Sequence, residues 1–238
     1  MTDPSDKLPS TAKQAEVSAF LAKVAALPKV AAAGARGRLI FALDATASRE
    51  PTWDQACRIQ NEMFVETAGL GGLEIQLAHY YGFGAFEAST WFTRSDELRS
   101  VMAGVQCMGG QTQIGRVLDH AKAETARRKV NALVFVGDCM EEDFDTLCHK
   151  AGELGLLGVP AFLFHEGGEP TAERAFRQIA RLTNGAYCRF DQGSAQQLRE
   201  LLAAVAVFAA GGRKALTDFG KARGGAALLL TQQLGKGS

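Results

Sequence analysis

The sequence is poor in the residues that build disulfide frameworks and zinc sites. Its 238 residues include five cysteines and four histidines. The cysteine count is odd and includes no CxxC pair, which argues against a disulfide framework and favours a reducing cytoplasm. The histidines lack the i, i+4 spacing that places two zinc ligands on one helical face, so a zinc site is not expected.

The sequence also lacks an excess of charge and a long apolar run. Lys plus Arg total 26, as do Asp plus Glu, so no global field favours nucleic acid or anionic lipid as a partner. The longest apolar run, Leu201–Ala210, ends at Gly211 and is much shorter than the roughly 20 residues of a membrane span. Asp3, Pro4 and Asp6 stand where a signal peptide would be basic and then apolar. We therefore expect a cytoplasmic protein without a membrane span.

The composition predicts one sizeable globular domain with extensions at both ends. The chain is 47% hydrophobic and 22% charged, which is typical of a soluble domain. Residues 1–10 are polar and contain prolines, which predicts disorder. Residues 11–37 combine an amphipathic helix with a glycine-interrupted linker, residues 38–210 carry the main domain, and residues 211–238 form a basic extension. Within that extension, residues 226–234 fit either a strand or a helix.

Short apolar blocks alternate with amphipathic segments along the main domain. The block 38–44 ends at a carboxylate, as expected for a parallel strand buried on both faces. Segments 73–81 and 85–92 are too close for a helical crossover, so one edge strand should be antiparallel. The remaining predicted strands are 132–136, 159–164 and 186–190, and the predicted helices are 51–69, 114–128, 142–157, 171–183 and 194–210. This order predicts an α/β three-layer sandwich with a Rossmann-like, doubly wound, mostly parallel sheet.

Carboxylates and hydroxyls follow the predicted strands at the edge where such sheets bind ligands. Ligands of open parallel sheets bind outside the carboxyl ends of the strands. Asp44, Thr46 and Ser48 follow the first strand, Thr112 stands in the loop GGQT before a helix, and Asp138 follows the strand ALVFV. These are five hard oxygen donors of the kind that Mg²⁺ prefers.

In these residues the sequence resembles the von Willebrand factor A (vWA) domain and its metal-ion-dependent adhesion site (MIDAS). Asp44, Thr46 and Ser48 match the pattern DxSxS with a threonine in place of the first serine, and Thr112 and Asp138 match the threonine and aspartate of two further loops. Cys139 stands where the family often has glycine. The resemblance covers residues from about 38 to about 210.

The resemblance implies a non-enzymatic module that binds a partner protein through a shared metal ion. The five matched side chains would hold Mg²⁺, with Mn²⁺ and Ca²⁺ as alternatives, directly or through water. An acidic side chain of the partner would complete the coordination sphere. Relatives of the bacterial intracellular type also suggest a setting beside ATPases or in multiprotein assemblies.

Each of these residues also has a structural interpretation. Ser48 and Thr112 are residue types that cap helix N-termini, and aspartates often occupy turns after strands. The acidic run 141–145 is typical of the first turn of a helix. His165 follows a predicted strand and fits a polar loop residue, so it is left outside the site. Cys139 has no visible basic partner that would make it reactive.

Two enzymatic or nucleotide-binding interpretations compete with the interaction module. Asp44 at the end of the first strand could be the nucleophile of a Mg²⁺-dependent phosphoryl-transfer hydrolase. The haloacid dehalogenase pattern, however, requires a second aspartate where this chain has Thr46. The segment GGQTQIG could bind a nucleotide phosphate at a helix start, but it lacks the lysine of a P-loop.

Overall fold

The computed structural model describes residues 36–67, 72–190 and 195–223. The strands are β1 (Gly37–Asp44), β2 (Leu73–Tyr81), β3 (Ala85–Phe92), β4 (Ala132–Gly137), β5 (Ala161–Glu166) and β6 (Ala186–Phe190). The helices are α1 (Glu50–Ile59), α2 (Asn61–Thr67), α3 (Ser95–Ala103), α4 (Ile114–Arg127), α5 (Phe144–Leu156), α6 (Pro170–Leu182) and α7 (Ala195–Arg223). A single 3₁₀ turn, Ala47–Arg49, connects β1 to α1.

The strands form one sheet in the order β3-β2-β1-β4-β5-β6. Every neighbouring pair is parallel except β2 with β3, which form an antiparallel hairpin at one edge. The predicted fold class is confirmed. Because the chain moves from β1 to β2 on one side and returns to β4 on the other, the winding reverses between β1 and β4. This topological switch point is where doubly wound sheets open a crevice for a ligand.

Helices cover both faces of the sheet, and β1 supplies side chains to both layers. Leu39, Phe41 and Leu43 belong to the core beneath α1, α2, α3 and α7. Ile40 and Ala42 point the other way, into the core beneath α4, α5 and α6. Successive strand residues face opposite sides of a sheet, so a strand buried on both faces is apolar throughout. This explains why the first apolar block shows no alternation.

Some predicted elements have other bounds in the structure, and one helix was not predicted. The predicted helix 51–69 is two helices, α1 and α2, which meet at the non-helical Gln60. The strand predicted at 159–164 runs two residues later because Pro160 has no N–H to give to the ladder, although its carbonyl accepts from Leu133 N at 3.0 Å. Helix α3 was not predicted. It buries Leu98 and Met102 alone, which is too little for a clear helical pattern.

The last helix continues past its predicted end. Helix α7 extends to Arg223, with a break at Gly212, whose φ of +67° lies outside the helical region. Residues 226–234, the predicted N-terminal segment 1–10 and residues 11–35 of the predicted helix and linker at 11–37 lie outside the described residues. None of the helices in the described ranges combines the length and apolar character needed to cross a membrane.

Candidate metal site at the carboxyl edge of the sheet

The two aspartates predicted as metal ligands lie on either side of the switch point. Asp44 is the last residue of β1, and Asp138 directly follows β4. The two strands are parallel neighbours, with Leu43 opposite Val136. Parallel register therefore brings the β1–α1 loop and the β4–α5 loop to the same point of the carboxyl edge.

The β1–α1 loop is shaped by its own polar side chains. The backbone N–H of Thr46 donates to Asp44 Oδ1 at 2.8 Å. This bond forms an Asx-turn, in which an aspartate side chain accepts from the backbone amide two residues later. The hydroxyls of Thr46 and Ser48 lie 3.5 Å apart. The spacing DxTxS thus folds three oxygen-bearing side chains into one short turn.

A direct hydrogen bond joins the two loops across the switch point. Ser48 Oγ donates to Asp138 Oδ2 at 2.9 Å. Asp44 is only 2% exposed, whereas Ser48 is exposed and Asp138 is half-buried. A cation that approaches from solvent therefore reaches Ser48 and Asp138 before Asp44.

Thr112 is linked to this group through the β4–α5 loop. Its hydroxyl accepts a hydrogen bond from Glu141 N at 3.0 Å, and its own backbone N–H donates to Glu141 Oε2 at 3.1 Å. A hydroxyl has two acceptor lone pairs and one donor, so Thr112 keeps one lone pair for a metal or a water. The structure thus connects Asp44, Thr46, Ser48 and Asp138 by consecutive hydrogen bonds, while Thr112 is held by Glu141, three residues after Asp138.

The N-terminus of α4 is capped by a residue from another loop. Glu142 accepts from Ile114 N at 2.5 Å and from Gly115 N at 2.8 Å. A phosphate would need these same amides, so the geometry disfavours the nucleotide interpretation of GGQTQIG. The acidic residues after β4 therefore have two roles. Glu141 and Glu142 hold the start of α4, whereas Asp143 caps α5 by accepting from Thr146 N at 2.8 Å. Gln113, and not Thr112, is the N-cap residue of α4.

His165 is a buried residue of β5 and not the loop residue that the sequence predicted. It is fully buried, and its Nε2 lies 3.2 Å from the Asp138 carbonyl oxygen. A carbonyl can only accept, so Nε2 carries the proton, and Nδ1 accepts from the Tyr187 hydroxyl at 2.9 Å. Burial lowers the pKa of His165, which opposes protonation. His165 therefore fixes the backbone that carries Asp138.

The next residue of β5 holds the start of α1, the helix that follows the other loop of the site. Glu166 is buried, and the Thr52 hydroxyl of α1 donates to its Oε2. Since neighbouring strand residues point to opposite faces, β5 supports the site from both sides of the sheet. Sequence reasoning missed both roles because the predicted strand ended at Phe164.

The thiol beside Asp138 is not set up as a nucleophile. Burial, followed by the charges of Asp138 and Asp44, raises the pKa of Cys139 to about 11. A thiol with this pKa stays protonated near neutral pH, and the thiolate is the reactive form.

The donor set fits a hard divalent cation that retains water. Mg²⁺ is commonly held by one or two carboxylates and keeps several waters, and the site offers two carboxylates with three hydroxyls. Among the described residues, no three His, Cys, Asp or Glu side chains gather in a metal-binding group. The predicted site does not depend on such a group, because three of its five ligands are hydroxyls.

No protein-family model matches the sequence, and no curated protein matches it. Solved structures do match. A von Willebrand factor type A protein from Catenulispora acidiphila has a TM-score of 0.60 at 16% identity over 72% of this chain and 43% of its own. The SpRpn10 VWA domain has a TM-score of 0.55 at 16% identity over 72% of this chain and 95% of its own.

A third similar structure is described with a bound metal. Proximal thread matrix protein 1 from the mussel byssus, with a zinc-occupied MIDAS motif, has a TM-score of 0.59 at 15% identity over 75% of this chain and 48% of its own. The chain thus spans less than half of two of these three proteins. At such identities the likeness concerns the fold. This chain has the fold of a von Willebrand factor A domain.

Proposed function

We propose that this chain is a non-enzymatic protein-interaction module that binds its partner through a divalent metal ion. Asp44, Thr46, Ser48, Thr112 and Asp138 hold the ion directly or through water. Mg²⁺ is the proposed metal, with Mn²⁺ and Ca²⁺ as alternatives. A carboxylate of the partner protein completes the coordination sphere.

The hydrogen bond between Ser48 and Asp138 carries this proposal. It brings a hydroxyl and a carboxylate from separate loops to 2.9 Å over the switch point. A serine hydroxyl can donate its proton to a carboxylate while a lone pair binds a cation. The bond is therefore compatible with a bound metal and holds two ligands together before the metal arrives.

The charge around the site makes the metal necessary for an acidic partner. Asp44 and Asp138 balance the charge of a divalent ion, and Glu141, Asp143 and Asp145 are exposed just beyond. Without the cation, these carboxylates repel a partner carboxylate. With the cation in place, the charges of Asp44, Asp138 and the ion cancel, and an open coordination position attracts that carboxylate.

Two further observations support parts of the proposal. The similar byssus protein is described with zinc in its MIDAS motif, which favours a divalent ion at the matching place of this fold. All five cysteines are free, which fits the proposed cytoplasmic setting. A place beside ATPases or in a multiprotein assembly remains part of the proposal from the sequence resemblance.

The hydrolase alternative receives less support from the geometry. Its nucleophile, Asp44, is 2% exposed and already accepts the Thr46 N–H. Thr46 occupies the position where such enzymes carry a second aspartate. An attacking carboxylate needs access to the phosphorus atom, and a buried, hydrogen-bonded one has little.

Calorimetric titration of the full chain with Mg²⁺ and Mn²⁺ tests the proposal. We expect one site in the wild type and at least about tenfold weaker binding in Ser48→Ala and Asp138→Asn. Asp145→Asn, which removes an exposed carboxylate outside the site, is the matched control and should bind as the wild type does. Equal binding by all four proteins, or Mg²⁺-dependent hydrolysis of p-nitrophenyl phosphate that is lost in Asp44→Asn, would overturn the proposal.

A further inference from the structure

Two large apolar side chains are exposed beside the candidate metal site. Phe83 is 85% exposed and Met108 is 50% exposed. Contiguous exposed apolar patches mark interaction sites, whereas single exposed apolar residues are common on protein surfaces. The positions of these two side chains relative to the site are therefore decisive. We call Phe83 and Met108 the apolar rim.

Met108 is fixed to the first loop of the site. Its backbone N–H donates to the carbonyl of Ala45 at 2.9 Å. Ala45 lies between Asp44 and Thr46, two of the proposed metal ligands. Met108 therefore stands directly beside the turn that carries them.

Phe83 is held against the same region by a close backbone approach. It occupies the tip of the β2–β3 hairpin between Gly82 and Gly84, whose φ angles of +57° and +132° favour glycine. The Gly82 carbonyl accepts from Gln111 N at 3.0 Å. A Cβ on Gly110 would lie 2.1 Å from that carbonyl oxygen, so only glycine allows this contact. The loop that carries Thr112 thus anchors the hairpin tip.

The spacing of these anchors limits the length of the partner segment. Met108 and Gln111 are three residues apart, and three residues span at most about 10 Å. Both members of the apolar rim are therefore anchored within one short loop segment that ends next to Thr112. An extended peptide covers a similar distance in about three residues.

The loop after β4 brings acidic side chains to the same edge. Glu141, Asp143 and Asp145 are exposed there, and Glu141 is joined to Thr112 by two hydrogen bonds. A second acidic residue in the partner would meet these carboxylates without a cation to neutralise it. The apolar rim and these carboxylates together select the residues that flank the carboxylate at the metal.

We infer that the partner presents a single Asp or Glu with a large apolar side chain within about three residues of it, and no second acid nearby. The carboxylate completes the metal site while the apolar side chain packs on Phe83 and Met108. This inference rests on the proposed function and adds the sequence character of the partner to it.

A phage-displayed peptide library with one fixed aspartate between randomised positions tests the inference. The full chain selects peptides in Mg²⁺, and a chelator elutes those that need the metal. We expect enrichment of Leu, Ile, Phe or Met within about three positions of the aspartate and depletion of further Asp and Glu. An enriched peptide should bind Phe83→Ser/Met108→Ser about tenfold more weakly or worse.

The control separates the apolar rim from surface hydrophobicity in general. Leu156 is 90% exposed at the last turn of α5, so Leu156→Ser should leave the selection unchanged. All three substituted side chains are at least half exposed, and no core packing is removed. Metal titration of the double variant should match that of the wild type.

The other outcomes distinguish a failure of this inference from a failure of the proposed function. Chelator-eluted peptides without an apolar preference would overturn the inference and leave the proposed function standing. Failure to select any chelator-dependent peptide would overturn both. If sedimentation shows that Phe83→Ser converts a dimer to a monomer while the peptide preference persists, the apolar rim is a self-association contact and the inference is wrong.

Discussion

The two edges of the sheet use their charged residues in opposite ways. At the amino edge, where β1 and β2 begin, Arg38 lies between Glu74 and Glu124, with nitrogen–oxygen distances of 3.5 and 3.4 Å. The same guanidinium lies 3.7 Å from the centre of the Trp91 ring. At the carboxyl edge, no ion pair joins Asp138 to a Lys or Arg side chain that the structure describes. Charges at the amino edge are satisfied within the chain, whereas those at the carboxyl edge are suited to a ligand.

This difference teaches which charges serve stability and which serve binding. A buried ion whose partner is removed is strongly destabilising, so the amino edge tolerates little change. The carboxyl edge holds Asp44 and Asp138 in neighbouring loops, and like charges that lie close together cost stability, a cost that the proposed cation would relieve. Mutations at the two edges should therefore differ in size and in their dependence on metal.

The largest effect is expected for Arg38→Met at the amino edge. The substitution leaves the buried carboxylate of Glu124 without this cation and should lower the free energy of unfolding by about 3–5 kcal/mol. Urea denaturation measures the loss. Arg127→Met is the control, because its side chain is 77% exposed although it also pairs with Glu124, and it should cost less than about 1 kcal/mol. Equal losses of stability in the two variants would contradict a larger contribution of the buried Arg38–Glu124 pair than of the exposed Arg127–Glu124 pair.

The next effect is the stabilisation by metal at the carboxyl edge. Mg²⁺ at 100 times its Kd should raise the free energy of unfolding of the wild type by about 2.7 kcal/mol, because the metal binds only the folded chain. Asp138→Asn should lose this gain. In the absence of metal, Asp138→Asn should be neutral or more stable, since it removes one of two like charges. A large loss of stability in chelator would contradict a binding role for Asp138.

A smaller effect on stability is expected at His165, which holds the backbone of Asp138. His165→Phe keeps the edge-on packing against Phe176, whose ring centre is 5.3 Å away, but removes the donor to the Asp138 carbonyl. It should cost about 1–3 kcal/mol in urea denaturation and weaken Mg²⁺ binding. Tyr187→Phe removes only the hydroxyl that reaches Nδ1, so it should cost about 1 kcal/mol. Unchanged metal affinity in His165→Phe would rule out a positioning role.

The smallest effect is a loss of stability on mild acidification. Burial lowers the pKa values of His79 and His120 from the ordinary 6.5, so the folded chain favours neutral rings. As pH falls below 6.5, the unfolded chain takes up protons first, and the free energy of unfolding declines by at most about 1.4 kcal/mol per pH unit for each histidine. Urea titrations between pH 7.5 and 5.5 measure this slope. His120→Gln should make it shallower, and a rise in stability on acidification would contradict the assignment.

Much of the fold could be predicted because apolar blocks reveal buried parallel strands. The block that became β1 is apolar at every position from Leu39 to Leu43, and the short gap between β2 and β3 required a hairpin. The sequence patterns were too weak where tertiary packing determines whether an element forms and where it begins. Helix α3 buries few side chains, and Pro160 moved the start of β5. These errors concern one missed helix and the bounds of one strand, and they leave the predicted fold class unchanged.

The residues of the candidate site could be proposed from the sequence, but the side chains that hold them in place could not be predicted. Asp44 and Asp138 follow buried strands, and their hydroxyl neighbours share a pattern with a known kind of metal site. Glu142, by contrast, caps a helix that begins 28 residues earlier in the chain, and His165 holds Asp138 from a different strand. Such contacts depend on how distant elements pack together, which no local pattern specifies. The exposure of Phe83 likewise suggests a ligand contact only because the hairpin tip lies beside the site, which the sequence does not reveal.

Diffraction from crystals soaked in Mn²⁺ tests the central claim most directly, because the anomalous signal locates the ion. We predict one strong peak between the β1–α1 and β4–α5 loops, within bonding or one-water distance of Ser48 and Asp138. The same soak of Asp138→Asn crystals should show no peak there. A wild-type crystal with no peak at this point, or with its peak elsewhere on the molecule, would contradict the account.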